Sequence, residues 1–257
     1  MQAAINFSEI FINPPGTDNG QEFIELRSTT GGVESMANVW LIGVEGDQGA
    51  IGVVDIAIDL GAFSTGTNGL FLRRDSATVL QPAPDPATVV SVADFLPDIE
   101  NGTQTFFLVT NFTGAVGNDL DTNDLASDGL TNTPWTTVLD VTGITENDSG
   151  ANESYAAFYG GFAFPAQAGA SPFNPDAIFR SGGDGQWVAA DVSGASPGPY
   201  TTNSASETVA LQNGGTFTEV YNLTPGSVNP VVTPVPEPTA LALTAFGFAL
   251  LWRRRSN

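Results

Sequence analysis

The sequence predicts an all-β fold, a sandwich or barrel, and three observations carry that expectation. Short runs of Val, Ile, Phe and Thr recur along the chain, and Gly, Pro, Asn and Asp clusters break them at short intervals. Helical periodicity is missing until the last segment, and no repeat of 20 to 50 residues marks a solenoid or propeller.

The expected strands, in order, are 5–12, 22–28, 39–45, 52–58, 70–73, 88–92, 105–110, 136–140, 154–162 and 187–192. The opening pair is the clearest. Phe7, Glu9 and Phe11 alternate with Ser8, Ile10 and Ile12, and Phe23-Ile24-Glu25-Leu26 follows a Pro-Pro-Gly and Asp-Asn-Gly break, which predicts two paired strands with a longer loop. Asp18-Asn19-Gly20, Asn101-Gly102 and Asn213-Gly214-Gly215 supply turn chemistry between runs. Five prolines between Pro225 and Pro238 predict a linker, centred on 231–234, between the body and a distinct tail.

Composition limits the chemistry. The 257 residues include no Cys and no His, and all seven basic residues are arginines. These absences remove Ser-His-Asp and Cys-His nucleophiles, ordinary zinc sites, Schiff-base lysines and Gly-Lys-Ser/Thr phosphate loops. A carboxylate pair, a tyrosine or a hard cation held by oxygen remains open. With three arginines and one acid in the tail, the body carries four arginines against 27 acids, so it repels phosphate backbones and anionic lipid heads. Nucleic acid is therefore not an expected partner, and membrane contact is expected only through the C-terminal segment. Without disulfides, stability must come from buried area and from any bound cation; the chain is long enough for one sizeable core.

The tail has three parts: Pro236-Glu237-Pro238, the uncharged stretch 239–252, and Arg253-Arg254-Arg255. As a helix the uncharged stretch would extend about 21 Å, short of the roughly 30 Å hydrocarbon core. The arginines favour the cytoplasmic side, which leaves the body outside that membrane. This order resembles the PEP-CTERM sorting signal of exopolysaccharide-producing bacteria. The resemblance implies a C-terminal hydrophobic helix (235–257), an exosortase as partner, transient anchoring in the inner membrane, and release to the cell surface or extracellular matrix. An ordinary C-terminal tail anchor is the alternative, and it also exports the body. Export predicts an N-terminal signal; Met1-Gln2-Ala3-Ala4 has room only for the remnant of one.

A second set of residues spans 5–230. Ser8-Glu9-Ile10, Gln21-Glu22-Phe23-Ile24-Glu25-Leu26, Trp40-Leu41, Asn68-Gly69-Leu70-Phe71-Leu72 and Leu223-Thr224-Pro225-Gly226-Ser227-Val228-Asn229 together resemble the lamin-tail domain. That resemblance implies an immunoglobulin-like β-sandwich on a secreted or surface protein. The chain is about twice the length of a minimal domain of that family. The extra residues fall mainly in 75–102 and 113–171, as insertions or a small second lobe, and Thr30-Gly31-Gly32 replaces the usual tight turn.

Candidate chemistry concentrates in Asn118-Asp119-Leu120-Asp121-Thr122-Asn123-Asp124 through Asp128-Gly129. Oxygens at alternate positions of an irregular loop can converge on Ca²⁺ at about 2.3–2.6 Å. The start resembles the Asp-x-Asp-x-Asn loops of EF-hand, dockerin and thrombospondin type 3 repeats. Asp124 stands where the turn glycine belongs and Leu130 where the bidentate Glu belongs, so the expected site is a looser one on Asp119, Asp121, Asn123, Asp124 and Asp128; a solvated acidic loop is the alternative. A second polar patch runs from Glu146 through Asn147, Asp148, Ser149, Asn152 and Glu153 and predicts an exposed turn. Trp40, Trp135, Trp187, Tyr155, Tyr159, Phe158 and Phe162 are expected in the core; an exposed ring beside a calcium loop would instead make a sugar platform. A glycosidase would need two carboxylates about 5 or 6.5–9.5 Å apart across a cleft, and no pair in the sequence stands out. The expected function is thus a non-enzymatic binding or structural role at the cell surface, with polysaccharide or protein partners. A calcium-dependent carbohydrate-binding or adhesion module and a carboxylate-based glycoside hydrolase are the alternatives.

Overall fold

In the computed structural model, which describes residues 3–16, 20–76, 80–123, 128–146, 152–164, 174–195, 198–202, 209–215, 217 and 219–234, the apolar runs become fourteen strands. In chain order these are β1 Ile5–Phe11, β2 Phe23–Ser28, β3 Val39–Glu45, β4 Val54–Asp59, β5 Leu70–Arg74, β6 Val89–Val92, β7 Gln104–Thr110, β8 Thr137–Ile144, β9 Phe162–Phe164, β10 Ala177–Arg180, β11 Trp187–Ala190, β12 Val192–Ser193, β13 Thr201–Thr202 and β14 Val209–Leu211. Seven form one sheet in the order β14-β11-β10-β1-β2-β5-β6, five form a second in the order β4-β3-β7-β8-β9, and β12-β13 make a small ribbon. Pairing is antiparallel except at two sheet edges, where β6 joins β5 and β9 joins β8 in parallel.

The two large sheets pack as a sandwich. From the seven-stranded sheet Phe7, Ile10, Ile24, Leu26, Phe71, Ile178 and Trp187 meet Val39, Leu41, Ile56, Phe106, Leu108 and Ile144 of the other, all buried. Burial of each such side chain stabilises the fold by about 1.5–3 kcal/mol. The outer faces are not left to water. Phe11, Phe23, Leu72, Phe179 and Val188 lie under Tyr200, Phe217, Tyr221 and Leu223. On the other sheet Ile42, Val44, Phe107 and Val109 lie under Phe112, Leu120, Leu130 and Tyr155. The long insertion therefore roofs the outer face of the five-stranded sheet.

A polar clamp crosses between the sheets. The Arg180 guanidinium on β10 donates to both Asp140 oxygens on β8 at 3.1 and 3.0 Å, and its Nε donates to the Phe7 carbonyl at 3.1 Å. Asp140 also accepts the Phe7 N–H at 2.9 Å, and Arg180 lies 4.3 Å from the Trp187 ring centre.

Eight of the ten expected strands fall within two residues of observed ones at both ends or overlap them closely. Strand 136–140 continues to Ile144 as β8. The stretch 154–162 is not a strand: Ala156–Tyr159 is a 3₁₀ turn ended by Gly160 at φ 80°, and only Phe162 begins one. Two adjacent glycines decide this. Gly160 adopts the left-handed region, and Gly161 presses so closely on the Val141 carbonyl that a Cβ would sit 2.1 Å from it. Strands β9, β10, β13 and β14 are additional, short, and held mainly by their neighbours. The expected linker is bound to the body: Val232 is buried and donates its N–H to Ser181 at 3.2 Å, and the Thr233 N–H donates to the Tyr221 hydroxyl at 3.1 Å. Residues 235–257, with the expected C-terminal helix, and residues 1–2 lie outside the described residues. Among the described residues no helix is long and apolar enough to cross a membrane.

Both partners of the inter-sheet clamp are largely buried, with side chains 15% and 13% exposed. Asp140→Ala should strand the guanidinium and the Phe7 N–H together and cost about 3 kcal/mol, read as a lower midpoint in urea unfolding at unchanged slope.

Candidate functional site

The expected calcium loop lies across the outer face of the five-stranded sheet, bridged to it at Val53 and Asp119. Its described acids point different ways. Asp119 Oδ1 accepts the Asp121 N–H at 3.0 Å, which closes the turn. The Asp121 side chain is fully buried, and its Oδ2 accepts the Tyr155 hydroxyl at 2.9 Å. Asn123 donates its amide to Asp128 at 3.1 Å on the exposed side. Asp124 lies outside the described residues. Asp119, Asp121 and Asp128 do not converge on a common point; Asp121 acts as an internal anchor that ties the insertion to the 3₁₀ turn.

The aromatic residues beside this loop pack as core. Trp135 contacts Phe107 at 5.4 Å between ring centres and Tyr159 at 6.4 Å; Trp187, on β11 of the other sheet, is buried in the inter-sheet core. Phe158 is the exposed member of the group. Trp40 is half-buried against Phe112 at 5.6 Å and lines a depression of about 460 Å³ with Asn38, Asp59 and Asn111. Of the second polar patch, Glu146, Asn152 and Glu153 are described and 147–151 are not; Asn152 donates to the Glu146 carbonyl at 3.2 Å and Glu153 is buried.

The structure gathers acids at two places that sequence spacing did not mark. The first is on the seven-stranded sheet, where Glu9 and Glu25 face each other across β1 and β2. Both are buried, and the C-terminal stretch of the body covers them. The Thr224 N–H donates to the Glu9 oxygens at 3.4 and 3.3 Å, the Gly226 N–H donates to Glu25 at 2.7 Å, and Asn229 donates to the Ser8 carbonyl at 2.9 Å. Burial pushes Glu9 from 4.5 up to about 8, against the opposing pull of the Thr224 hydrogen bonds. Glu25 is raised as well, by burial and then by the neighbouring Glu9 charge.

The second is at one end of the sandwich. Glu45, Asp47 and Glu100 place carboxylate oxygens within 4.8 Å of one another, and among the described residues they are the one such group of three. Glu45 and Asp47 leave the end of β3; Glu100 comes from the segment between β6 and β7. That segment is held down by carboxylates, since Asp75 accepts the Phe95 N–H at 2.9 Å and Glu22 accepts the Ile99 N–H at 3.0 Å. Burial, with the Glu100 hydrogen bond and charge, pushes Glu45 up to about 8, and burial and the Glu100 charge raise Asp55 to about 6. A cleft of about 480 Å³ opens beside the group, lined by Asp47, Asp98, Glu100 and Glu146 among others. The sequence signal was weak here, because Glu45 and Glu100 are brought together only by pairing of β3 with β7.

The fold and these sites define an all-β protein with sandwich-packed sheets and an acidic surface cleft. No family model, no curated protein and no solved structure matches the chain.

The raised carboxyls fix how stability varies with pH. The unfolded chain releases the Glu9 proton near 4.5, whereas the folded chain keeps it to about 8. Its contribution is complete below the lower value and is lost as pH rises through the upper one, at up to about 1.4 kcal/mol per pH unit. Glu45 and Asp55 act in the same direction. The melting temperature should therefore fall between about pH 5 and 8, and Glu9→Gln should flatten part of that fall; a melting temperature that rises across the window would contradict the assignment.

Proposed function

We propose that this is an exported protein of the cell surface or extracellular matrix with a non-enzymatic binding or structural role, delivered by a C-terminal sorting signal. The observation that carries the reading is the order of the tail: Pro236-Glu237-Pro238, an uncharged stretch, then Arg253-Arg254-Arg255. An exosortase is the partner this order implies, with an ordinary tail anchor as the competing explanation.

The lamin-tail resemblance of the body draws support from contacts among the residues that carry it. Ser8 accepts from Asn229, Glu9 from Thr224, and Glu25 from Gly226. Asn68 donates to Thr88, whose hydroxyl in turn donates to the Gly226 carbonyl at 2.7 Å. Segments over 200 positions apart in the chain thus form one hydrogen-bonded unit. A sandwich that closes on its own C-terminal stretch in this way suits a domain displayed outside the cell without disulfides.

Changing Pro236, Glu237 and Pro238 together to Ala tests the sorting reading. In the native host the wild-type chain should be shortened and recovered from the surface or medium, and the triple variant should remain full-length in the membrane fraction. Equal processing of both would sink the exosortase reading, and a cytoplasmic body in both would sink export itself.

One observation favours carbohydrate as the bound partner. The Trp40 ring edges an open depression among Asn38, Asp59 and Asn111, the combination of apolar ring and hydrogen-bonding groups that a pyranose face requires. Trp40→Ala should abolish retardation of the protein in gels containing envelope polysaccharide while leaving the melting temperature within a few degrees. Unchanged retardation removes this site from consideration, and release of reducing sugar would move the protein to the hydrolases.

A further inference from the structure

We infer that Glu45, Asp47, Glu100 and Gln104 form a Ca²⁺ site at the end of the sandwich, distinct from the Asp119–Asp128 loop. Three carboxylate oxygens within 4.8 Å of one another fit on one coordination sphere of radius about 2.3–2.6 Å. The elements that supply them come from different parts of the chain, so the site is a product of the tertiary structure.

A fourth oxygen points to a ligand independently of the acids. Gln104 is fully buried, and its Oε1 has no hydrogen-bond partner. Its orientation is fixed, because Nε2 donates to Asp55 Oδ2 at 2.9 Å and an exchanged amide would set two oxygens against each other. Gln104 lies directly opposite Glu45 in the β3–β7 register. Along both strands these two continue the inward rows of Val39 and Leu41, and of Phe106 and Leu108, so their side chains share one face at the end of the inter-sheet core. The β3–β4 pairing slips by one residue next to this point, with Gly43 opposite Ile56 and Val44 opposite Val54. Asp55 is the extra residue of that bulge, and the bulge turns it toward Gln104. A buried amide carbonyl left unpaired costs about 1–3 kcal/mol, and it is a hard neutral donor of the kind Ca²⁺ takes.

The surroundings supply no cation of their own. The chain has no Lys or His, and among the described residues no arginine forms an ion pair with Glu45, Asp47, Asp55 or Glu100. Asp47 Oδ1 is held by the Thr103 N–H at 2.9 Å, and Oδ2 lies against Gly102, where any Cβ would sit 1.9 Å from it. A side chain at position 102 would cover the oxygen; glycine leaves it open. Asp47 and Glu100 line the acidic cleft, which gives an ion a path from solvent to the group. Bound Ca²⁺ would pin the segment carrying Glu100 to the end of β3, closing this end of the core.

Isothermal calorimetry on the full-length chain, stripped with chelator and titrated with CaCl₂ at constant ionic strength, tests the site, with MgCl₂ as the control. One Ca²⁺ should bind, in the range of about 10⁻⁴–10⁻³ M expected of extracellular modules, and raise the melting temperature. Glu100→Gln and Asp47→Asn should each weaken binding at least tenfold, and Asp128→Asn should not. Glu100 is exposed, so in chelator Glu100→Gln should melt at or above the wild-type temperature, which separates loss of the ion from loss of the fold. No Ca²⁺ binding up to millimolar concentration, equal binding of Mg²⁺, or binding lost in Asp128→Asn and kept in Glu100→Gln would each overturn the assignment. Binding is read in solution, so it stands or falls separately from the sorting of the protein.

Discussion

Both large sheets are apolar on both faces, and the rest of the structure follows from the need to cover them. A two-sheet sandwich usually buries one face of each sheet and wets the other. Here β1, β2, β3 and β7 are buried along almost their whole length. The protein meets this with two roofs: the insertion around Leu120, Leu130 and Tyr155 on one sheet, and the stretch holding Tyr200, Tyr221 and Leu223 on the other. The length beyond a minimal sandwich is thus part of the hydrophobic structure, and cutting out either roof would expose several large side chains at once.

The same covering forces acids out of water. With four arginines in the body and neither lysine nor histidine, charge neutralisation by side chains is available at few places, of which Arg180 and Asp140 are one. Elsewhere the fold uses three other means. Backbone N–H groups donate to Glu22, Glu25, Asp47 and Asp75; burial keeps Glu9 protonated; and Asp121 takes a tyrosine hydroxyl. At the end of the sandwich Glu45, Asp47 and Glu100 meet with no arginine ion-paired to them among the described residues, and a divalent cation at the proposed site would complete the set. Export and cation binding would then be linked by availability, since Ca²⁺ is abundant where such a protein would reside.

Much of the strand pattern was legible because the physics is local. Alternation, β-branched runs and turn residues placed β3 at its observed bounds and β1, β2, β5 and β7 within a residue or so. The stretch 154–162 differs because its pattern of Tyr and Phe satisfies a buried strand and a buried turn equally, and the left-handed φ of Gly160 and the contact of Gly161 with Val141 decide between them. The stretch Pro225 to Pro238 reads as a linker because prolines and few large apolar groups describe both a free segment and an extended one lying on a sheet; the described part, to residue 234, is bound to the body at Val232 and Thr233. The spacing of the acids between Asp119 and Asp128 is legible in the sequence, whereas the burial of Asp121 against the Tyr155 hydroxyl is set by the fold.

The sequence by itself determined the all-β class, the pairing of the first two strands, the exclusion of histidine-, cysteine- and lysine-based chemistry, and the tripartite tail. These rest on residue identity and on contacts within a few positions. Only the tertiary structure decided which carboxylates meet. Glu9 with Thr224, Glu25 with Gly226, and Glu45 with Glu100 and Gln104 are separated by tens to hundreds of residues, and strand register and one bulge at Asp55 set their distances. Register is a property of the whole sheet, fixed by which faces must be buried, so no short window of sequence contains it.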